Sequence, residues 1–314
     1  LLSAPVSAHV LEALDEGSLP LIELRQAIGS PPQTTIRSHL RTLEDLGVLE
    51  RSRQNGFPGS IDYELATAGR ELLAVVAVVR TWLALAPGSP IQFGSVGAKS
   101  AITALVDGWS STIVRALAAR PLSQTELNRF IQGLNYPSLG RRLGAMRLAG
   151  QIEARRDGTR GTPYTVTDWL RRAIGPVLAA ARWERRNAPA DAGAVDRLDV
   201  ESVFLLTVPL VDLADEVSGE CRLAVEVGDG DAAGVVLRVE RGRVVSCVAR
   251  LQDGTDAAAF GTVGGWIRAL VDHDGEAIEL GGDQELASAI LSALQSTVSG
   301  TSADMSGSRA PHFR

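Results

Sequence analysis

Gln33-Thr34-Thr35-Ile36-Arg37-Ser38-His39-Leu40-Arg41-Thr42-Leu43-Glu44-Asp45-Leu46-Gly47-Val48-Leu49-Glu50-Arg51 reads as a helix that runs through a cap into a strand. Ile36, Leu40 and Leu43 recur at i, i+4 and i+7, one apolar stripe on an otherwise polar helix. Pro31-Pro32 opens it, and Gly47 closes it because glycine takes the left-handed cap conformation without a Cβ clash. Residues 48–51 and 61–65 alternate as short strands, and the Gly- and Asn-bearing segment 52–60 between them reads as a loop. Upstream, Val10, Leu11 and Leu14 mark a first helix that stops at Asp15-Glu16-Gly17, and residues 21–28 a second that ends at Gly29. Three helices followed by a β-hairpin is the winged architecture that presents its third helix to a DNA major groove.

The pattern occurs twice. Val10, Ala13, Leu14, Leu40, Leu43, Gly47, Glu50 and Arg53 fall on Ile113, Ala116, Leu117, Leu143, Met146, Gly150, Glu153 and Arg156, a constant offset of 103. Beyond a two-residue deletion the offset is 101, and Tyr63, Arg70 and Trp82 fall on Tyr164, Arg171 and Trp183. An offset held across several elements implies two copies of one small fold.

The string Leu43-Glu44-Asp45-Leu46-Gly47-Val48-Leu49-Glu50-Arg51, followed by Tyr63-Glu64-Leu65-Ala66-Thr67-Ala68-Gly69-Arg70-Glu71-Leu72, resembles the HxlR-type winged-helix regulators. In the second copy Trp109-Ser110-Ser111-Thr112-Ile113-Val114 and Tyr164-Thr165-Val166-Thr167 resemble that family more loosely, with Ala149-Gly150-Gln151-Ile152 in place of Leu46-Gly47-Val48-Leu49. The resemblance implies DNA binding and dimerisation through long last helices, read here at residues 67–86 and 168–186. Two recognition helices would then face successive grooves about 34 Å apart. A tandem pair can meet that geometry as a pseudo-dimer within one chain or as a homodimer, and the sequence does not choose.

The 314 residues leave room for two or three domains, and a 45% hydrophobic content suffices to fill their cores. The longest apolar stretch, 71–86, is short and interrupted by Arg80, so no membrane span is expected. The first ten residues lack the pattern of a secretory signal, and Cys221 and Cys247 lack metal-ligand spacing, so a cytoplasmic protein with reduced thiols is expected. The net charge of −6 hides a segregation: −3 over residues 1–97, +9 over 98–190 and −12 over 191–314. The basic part suits a polyanion, whereas the acidic part would be repelled from DNA.

After an Ala-, Pro- and Asp-containing linker at 187–195 the pattern changes. Residues 209–217 read as a helix, 223–227 and 235–240 as strands, Arg241-Gly242 as a tight turn and 243–248 as the returning strand. Residues 260–271 read as an amphipathic helix and 277–280 as a strand; Asp283 caps a last helix that turns Leu286, Ile290 and Leu291 inward. The strings Val239-Glu240-Arg241-Gly242-Arg243-Val244 and Ile278-Glu279-Leu280-Gly281-Gly282-Asp283-Gln284-Glu285-Leu286 resemble the sterol carrier protein type 2 fold. That resemblance implies an apolar pocket, with Phe260, Trp266, Ile267 and Leu270 as its lining or as plain core. The Ser- and Gly-rich segment 297–314 reads as a disordered tail.

No catalytic or metal-binding constellation emerges: the four histidines are scattered, and Gly228-Asp229-Gly230-Asp231 is too short for a calcium loop. No cofactor is expected. The third helix is more informative. With its stripe packed inward, a 100° step per residue turns Thr34, Ser38, Arg41 and Asp45 outward, with Arg37 flanking. Arginine forks onto guanine, and hydroxyls reach bases or phosphates. Arg51 and Arg53 stand at the base of the wing, where a phosphate strand would run. In copy two Arg37 and Arg41 become Gly140 and Gly144, and Asp45 becomes Leu148; Arg141 stays central with Arg142 and Arg147 beside it. Its wing is richer, with Arg155, Arg156 and Arg160. Copy one would supply specificity, and copy two would supply phosphate grip or have turned to packing.

The expectation is an α+β chain with two tandem winged helix-turn-helix domains at 5–86 and 98–186, then a sterol-carrier-like α/β sandwich with an apolar pocket at 198–296. It would be a sequence-specific, double-stranded DNA-binding transcriptional regulator, not an enzyme, responsive to an apolar small molecule. Two alternatives stay open: a lipid-binding or protein-interaction module whose winged helices do not bind DNA, and a DNA-repair enzyme, for which Gln54 or Gln151 alone is a poor catalytic candidate.

Overall fold

The computed structural model describes residues 1–53, 61–106, 108–131, 133–155, 162–187, 200–227, 231–251 and 253–303. They divide into two units, Leu1–Thr103 with Ala179–Gly193 and Ala104–Leu178 with Ala194–Arg314.

In the first unit α1 (Pro5–Asp15), a short β1 (Leu19–Pro20), α2 (Leu21–Ala27) and α3 (Gln33–Asp45) precede the hairpin of β2 (Leu49–Arg53) and β3 (Ile61–Leu65). Leu11, Leu24, Ile36, Leu40 and Leu43 are buried, so the stripe read from the sequence is the inner face of α3. At its end Gly47, at φ +66°, donates its N–H to Glu44 O, and Val48 donates to Leu43 O, both at 2.8 Å. These two bonds form a Schellman cap, which satisfies carbonyls the helix leaves open. β1, which the sequence reading missed, pairs Leu19 with Tyr63 and makes a three-stranded sheet in the order β1-β3-β2.

From β3 the chain enters α4 (Thr67–Ala84), whose Leu72, Val75, Val76, Val79 and Trp82 are buried. Arg80, the charge that interrupts this apolar run, pairs with Glu12 and lies 5.7 Å over the Phe93 ring. Gly69 admits no side chain: a Cβ there would stand 2.2 Å from Val48 O. Gly69→Ala is therefore expected to push α4 off the sheet, with a loss of about 1–3 kcal/mol, read as a lower midpoint in denaturant unfolding.

The second repeat follows α5 (Val96–Val106), a helix not foreseen from the sequence. Its elements are α6 (Gly108–Ala119), β4 (Leu122–Ser123), α7 (Gln124–Phe130), α8 (Tyr136–Leu148), β5 (Ile152–Ala154) and β6 (Pro163–Val166). Strand order and register reproduce the first repeat: Leu122 pairs with Tyr164 as Leu19 does with Tyr63, and Ala154 with Tyr164 as Arg51 does with Tyr63. Gly150 repeats the Schellman cap, donating to Arg147 O while Gln151 donates to Met146 O.

The single helix expected at 168–186 is broken into α9 (Asp168–Arg171) and α10 (Ile174–Asn187). Pro176 is the cause: it has no N–H to give, and its ring would strike the Arg172 carbonyl in a continuous helix. Within the first unit, the later part of α10 lies on α4, where Trp183 Nε1 donates to Ala68 O at 2.8 Å and Asn187 Nδ2 to Glu71 Oε2 at 2.9 Å.

The remaining elements are α11 (Val200–Thr207), β7 (Gly219–Val227), β8 (Asp231–Glu240), β9 (Arg243–Val248), β10 (Ala257–Thr262), α12 (Val263–Val271), β11 (Glu279–Gly282) and α13 (Gln284–Ala303). The five strands lie in the order β11-β10-β7-β8-β9, with β10 parallel to β7 and every other pair antiparallel. The Arg241-Gly242 turn has positive φ at both residues, as a type I′ hairpin requires. Arg115 of α6 pairs with Glu201 of α11 at 2.8 Å, and the half-buried Arg171 donates to Leu205 O. Burial lowers the Arg171 pKa and pushes both thiols, Cys221 and Cys247, up to about 12.

Four expectations for this region are corrected. The helix lies at α11 and ends in a 3-10 turn at Val208–Leu210, and 211–217 is not helical: Leu213 donates to Gly242 O and Val217 accepts from the Gly242 N–H, so that segment bonds to the hairpin turn instead. Phe260 belongs to β10 rather than to a helix, because the chain stays extended until the Thr262 hydroxyl caps α12 at Gly265 N. The last strand sits at Glu279–Gly282, preceded by a 3-10 turn at Gly275–Ala277. Asp283 caps α13 as expected, but the helix runs to Ala303 and keeps Val298 buried. Of the supposed tail, residues 304–314 lie outside the described residues.

Candidate nucleic-acid interface

α3 is fixed from below by its buried stripe and from the side by His39, whose Nδ1 meets Ser7 Oγ of α1 at 2.9 Å. That leaves Thr34, Arg37, Ser38 and Arg41 exposed on one outer face, with Asp45 at its far end. Arg37 and Arg41 are one helical turn apart, about 6 Å along the axis. Among the described residues neither guanidinium has a hydrogen-bond or ion-pair partner. Two unpaired forks at that spacing can each engage a base edge or a phosphate.

Arg51 differs. It forms a two-pronged pair with Glu44 on the last turn of α3, and its guanidinium lies 5.7 Å from the Tyr63 ring centre. The hydrogen bond to Glu44 raises its pKa, so it stays charged but is already occupied. The pair also ties the helix to the base of the wing. Glu44 went unremarked in the sequence because nothing in its spacing announces a partner across the cap; only the turn at Gly47 brings the two together. Glu44→Gln should free Arg51 for a phosphate. The expected result is several-fold tighter binding to random duplex and a salt dependence steeper by about 0.9 in log–log slope, measured by titration at several salt concentrations.

The other expected contacts divide. Arg53 ends β2 opposite Ile61, and its side chain is outside the described residues, as are Arg156 and Arg160 entirely. In the second repeat Arg141 is exposed and donates to Ser138 Oγ at 3.1 Å, and Arg155 is exposed at the wing. Arg142 is turned back to Ser110 Oγ at 3.2 Å, half-buried, and is poorly placed for DNA. Leu148, where the first repeat has Asp45, is 87% exposed. At the positions of Arg37, Arg41 and Asp45 the third helix of the second repeat thus carries Gly140, Gly144 and Leu148, and its exposed arginines, Arg141 and Arg147, stand at other positions.

In the C-terminal sheet Trp266, Ile267 and Leu270 are buried on α12. The Trp266 ring meets Phe204 edge-on at 4.7 Å, and its Nε1 donates to Ala224 O at 2.9 Å. They are core. Phe260 is 38% exposed between the buried Ala259 and Gly261, so its side chain stands on the opposite face of the sheet and cannot share a pocket with Trp266.

Among the described residues no helix is long and apolar enough to cross a membrane. No curated protein matches the chain. Residues 4–86, from α1 through α4, match the family model described as HxlR-like helix-turn-helix. This stretch, about a quarter of the chain, is therefore similar to the HxlR-like helix-turn-helix family.

Proposed function

We propose that the protein is a sequence-specific, double-stranded DNA-binding transcriptional regulator, acting in the cytoplasm and without catalytic activity of its own. The observation that carries this reading is the pair of exposed guanidinia of Arg37 and Arg41, unpartnered among the described residues, on the outer face of α3 inside the HxlR-like stretch. The second repeat is a second winged helix-turn-helix unit that grips phosphates through Arg141 and Arg155 and reads no bases. Its matching strand register and cap support that assignment, and Gly140 and Gly144 at the reading positions support the division of labour. The C-terminal region is a sterol-carrier-like domain, supported by its element order and its sheet with one parallel pair. The apolar effector is not placed there, since Trp266, Ile267 and Leu270 are committed to the core.

The test is a titration of the full chain against a duplex selected from a random pool and against an unselected duplex, at several salt concentrations. Selective binding that persists as salt rises supports the reading. Equal, weak binding that vanishes at moderate salt would sink it and favour a protein-interaction module.

A further inference from the structure

An open groove of about 1000 Å³ runs beside α3 in the first unit, between that helix, the start of α2 and the sheet. Its walls carry two kinds of chemistry. Leu21, Ile22, Ile61 and Tyr63 form an apolar side, and Arg37 and Arg41 form a cationic one. Ile22 is 73% exposed and Ile61 43% exposed. Two isoleucines left in water beside arginines that have no partner among the described residues gain nothing from the fold, because apolar area is stabilising only once it is removed from water.

The second repeat serves as an internal control. At the positions of Ile22 and Ile61 it has Thr125 and Thr162, both exposed, with the same strand register. At the positions of Arg37 and Arg41 it has Gly140 and Gly144. The isoleucines are thus not required by the architecture, and the apolar and cationic sides are lost together.

We propose that this groove binds a small carboxylate with an apolar body, an aryl or alkyl acid, and that such a ligand competes with DNA for Arg37 and Arg41. A carboxylate and a phosphate present the same pair of acceptors to a guanidinium fork. An apolar body is what the isoleucines can use and the sugar-phosphate backbone lacks. Charge agrees: Glu44 is matched by Arg51, Asp45 is the remaining acid, and the groove keeps a net positive charge. The size is at the upper end of the range for small-molecule sites. Competition rests on the DNA-binding reading above; the binding site itself does not.

The experiment is calorimetric titration of the full chain with 1-naphthoate and decanoate, with 1-naphthalenemethanol as the neutral isostere and inorganic phosphate at matched ionic strength. Binding of either acid is expected, at least tenfold tighter than the alcohol and than phosphate. Arg37→Gln with Arg41→Gln, and separately Ile22→Ser with Ile61→Ser, should each weaken it at least tenfold. The isoleucines are surface side chains, so an unchanged melting temperature will certify the fold of that variant. It should also bind duplex DNA within about threefold of the parent while no longer releasing it on addition of the acid. No binding of either acid, or binding indifferent to the isoleucine pair, overturns the site. So does loss of DNA affinity in the isoleucine variant as large as its loss of acid affinity, which would assign those side chains to DNA. Acid binding in a protein that does not bind DNA would leave the site standing and remove the regulator reading instead.

Discussion

Arg37→Ala combined with Arg41→Ala collapses discrimination between a selected and an unselected duplex while leaving weak, salt-sensitive binding in place. Each well-formed guanidinium–guanine fork contributes about 1–3 kcal/mol of discrimination. The pair should therefore reduce the ratio of the two affinities by roughly 30-fold to 10⁴-fold. Residual binding is expected because phosphate contacts are sequence-independent, and Arg141 and Arg155 are untouched. The size of the effect follows from occupancy: among the described residues these two guanidinia have no partner to lose, whereas Arg51 must first release Glu44. The converse graft, Gly140→Arg with Gly144→Arg, should raise affinity for random duplex without restoring selectivity for the selected one. A double Arg37, Arg41 variant that keeps full selectivity would move the reading surface away from α3.

Trp266→Ala lowers the stability of the second unit by about 3–5 kcal/mol, the cost of emptying a large buried aromatic site. Three losses coincide at that position. The edge-on contact with Phe204 goes, the Ala224 carbonyl loses its indole donor, and a cavity opens between α12 and the sheet. Phe260→Ala, six residues earlier, should cost about 1 kcal/mol or less, since its ring is only partly covered on the other face. Chemical denaturation followed by tryptophan fluorescence and circular dichroism measures both. Equal losses for the two variants would mean that Phe260 and Trp266 share one core, against the alternation of β10.

That contrast marks what was legible before the structure. The apolar stripe of Ile36, Leu40 and Leu43 and the glycine cap at Gly47 follow from local rules and are where those rules place them; the first wing strand runs on to Arg53, and the rest of the expected loop, 54–60, lies outside the described residues. The outward directions of Thr34, Arg37, Ser38 and Arg41 follow from local rules as well, because a helix turns by a constant angle per residue. The hairpin at Arg241-Gly242 and the Asp283 cap are local in the same sense.

Phe260 and residues 211–217 depart from the sequence expectation for a shared reason: short apolar runs fit a helix and a strand alike, and hydrogen-bond partners distant in sequence decide between them. Phe260 is extended because Ala224 of β7 lies beside it, and 211–217 is not helical because the Gly242 turn takes its backbone bonds.

By itself, then, the sequence determined the repeat, its internal offset and the polar face of α3, which are properties of neighbouring residues and of helical pitch. Tertiary structure alone decided that Arg51 is held by Glu44 while Arg37 and Arg41 have no partner among the described residues, that Arg142 turns inward, and that Ile22 and Ile61 line one groove. Charge and shape at a surface depend on which side chains converge from separate elements, and that convergence exists only once the core has set the elements against one another.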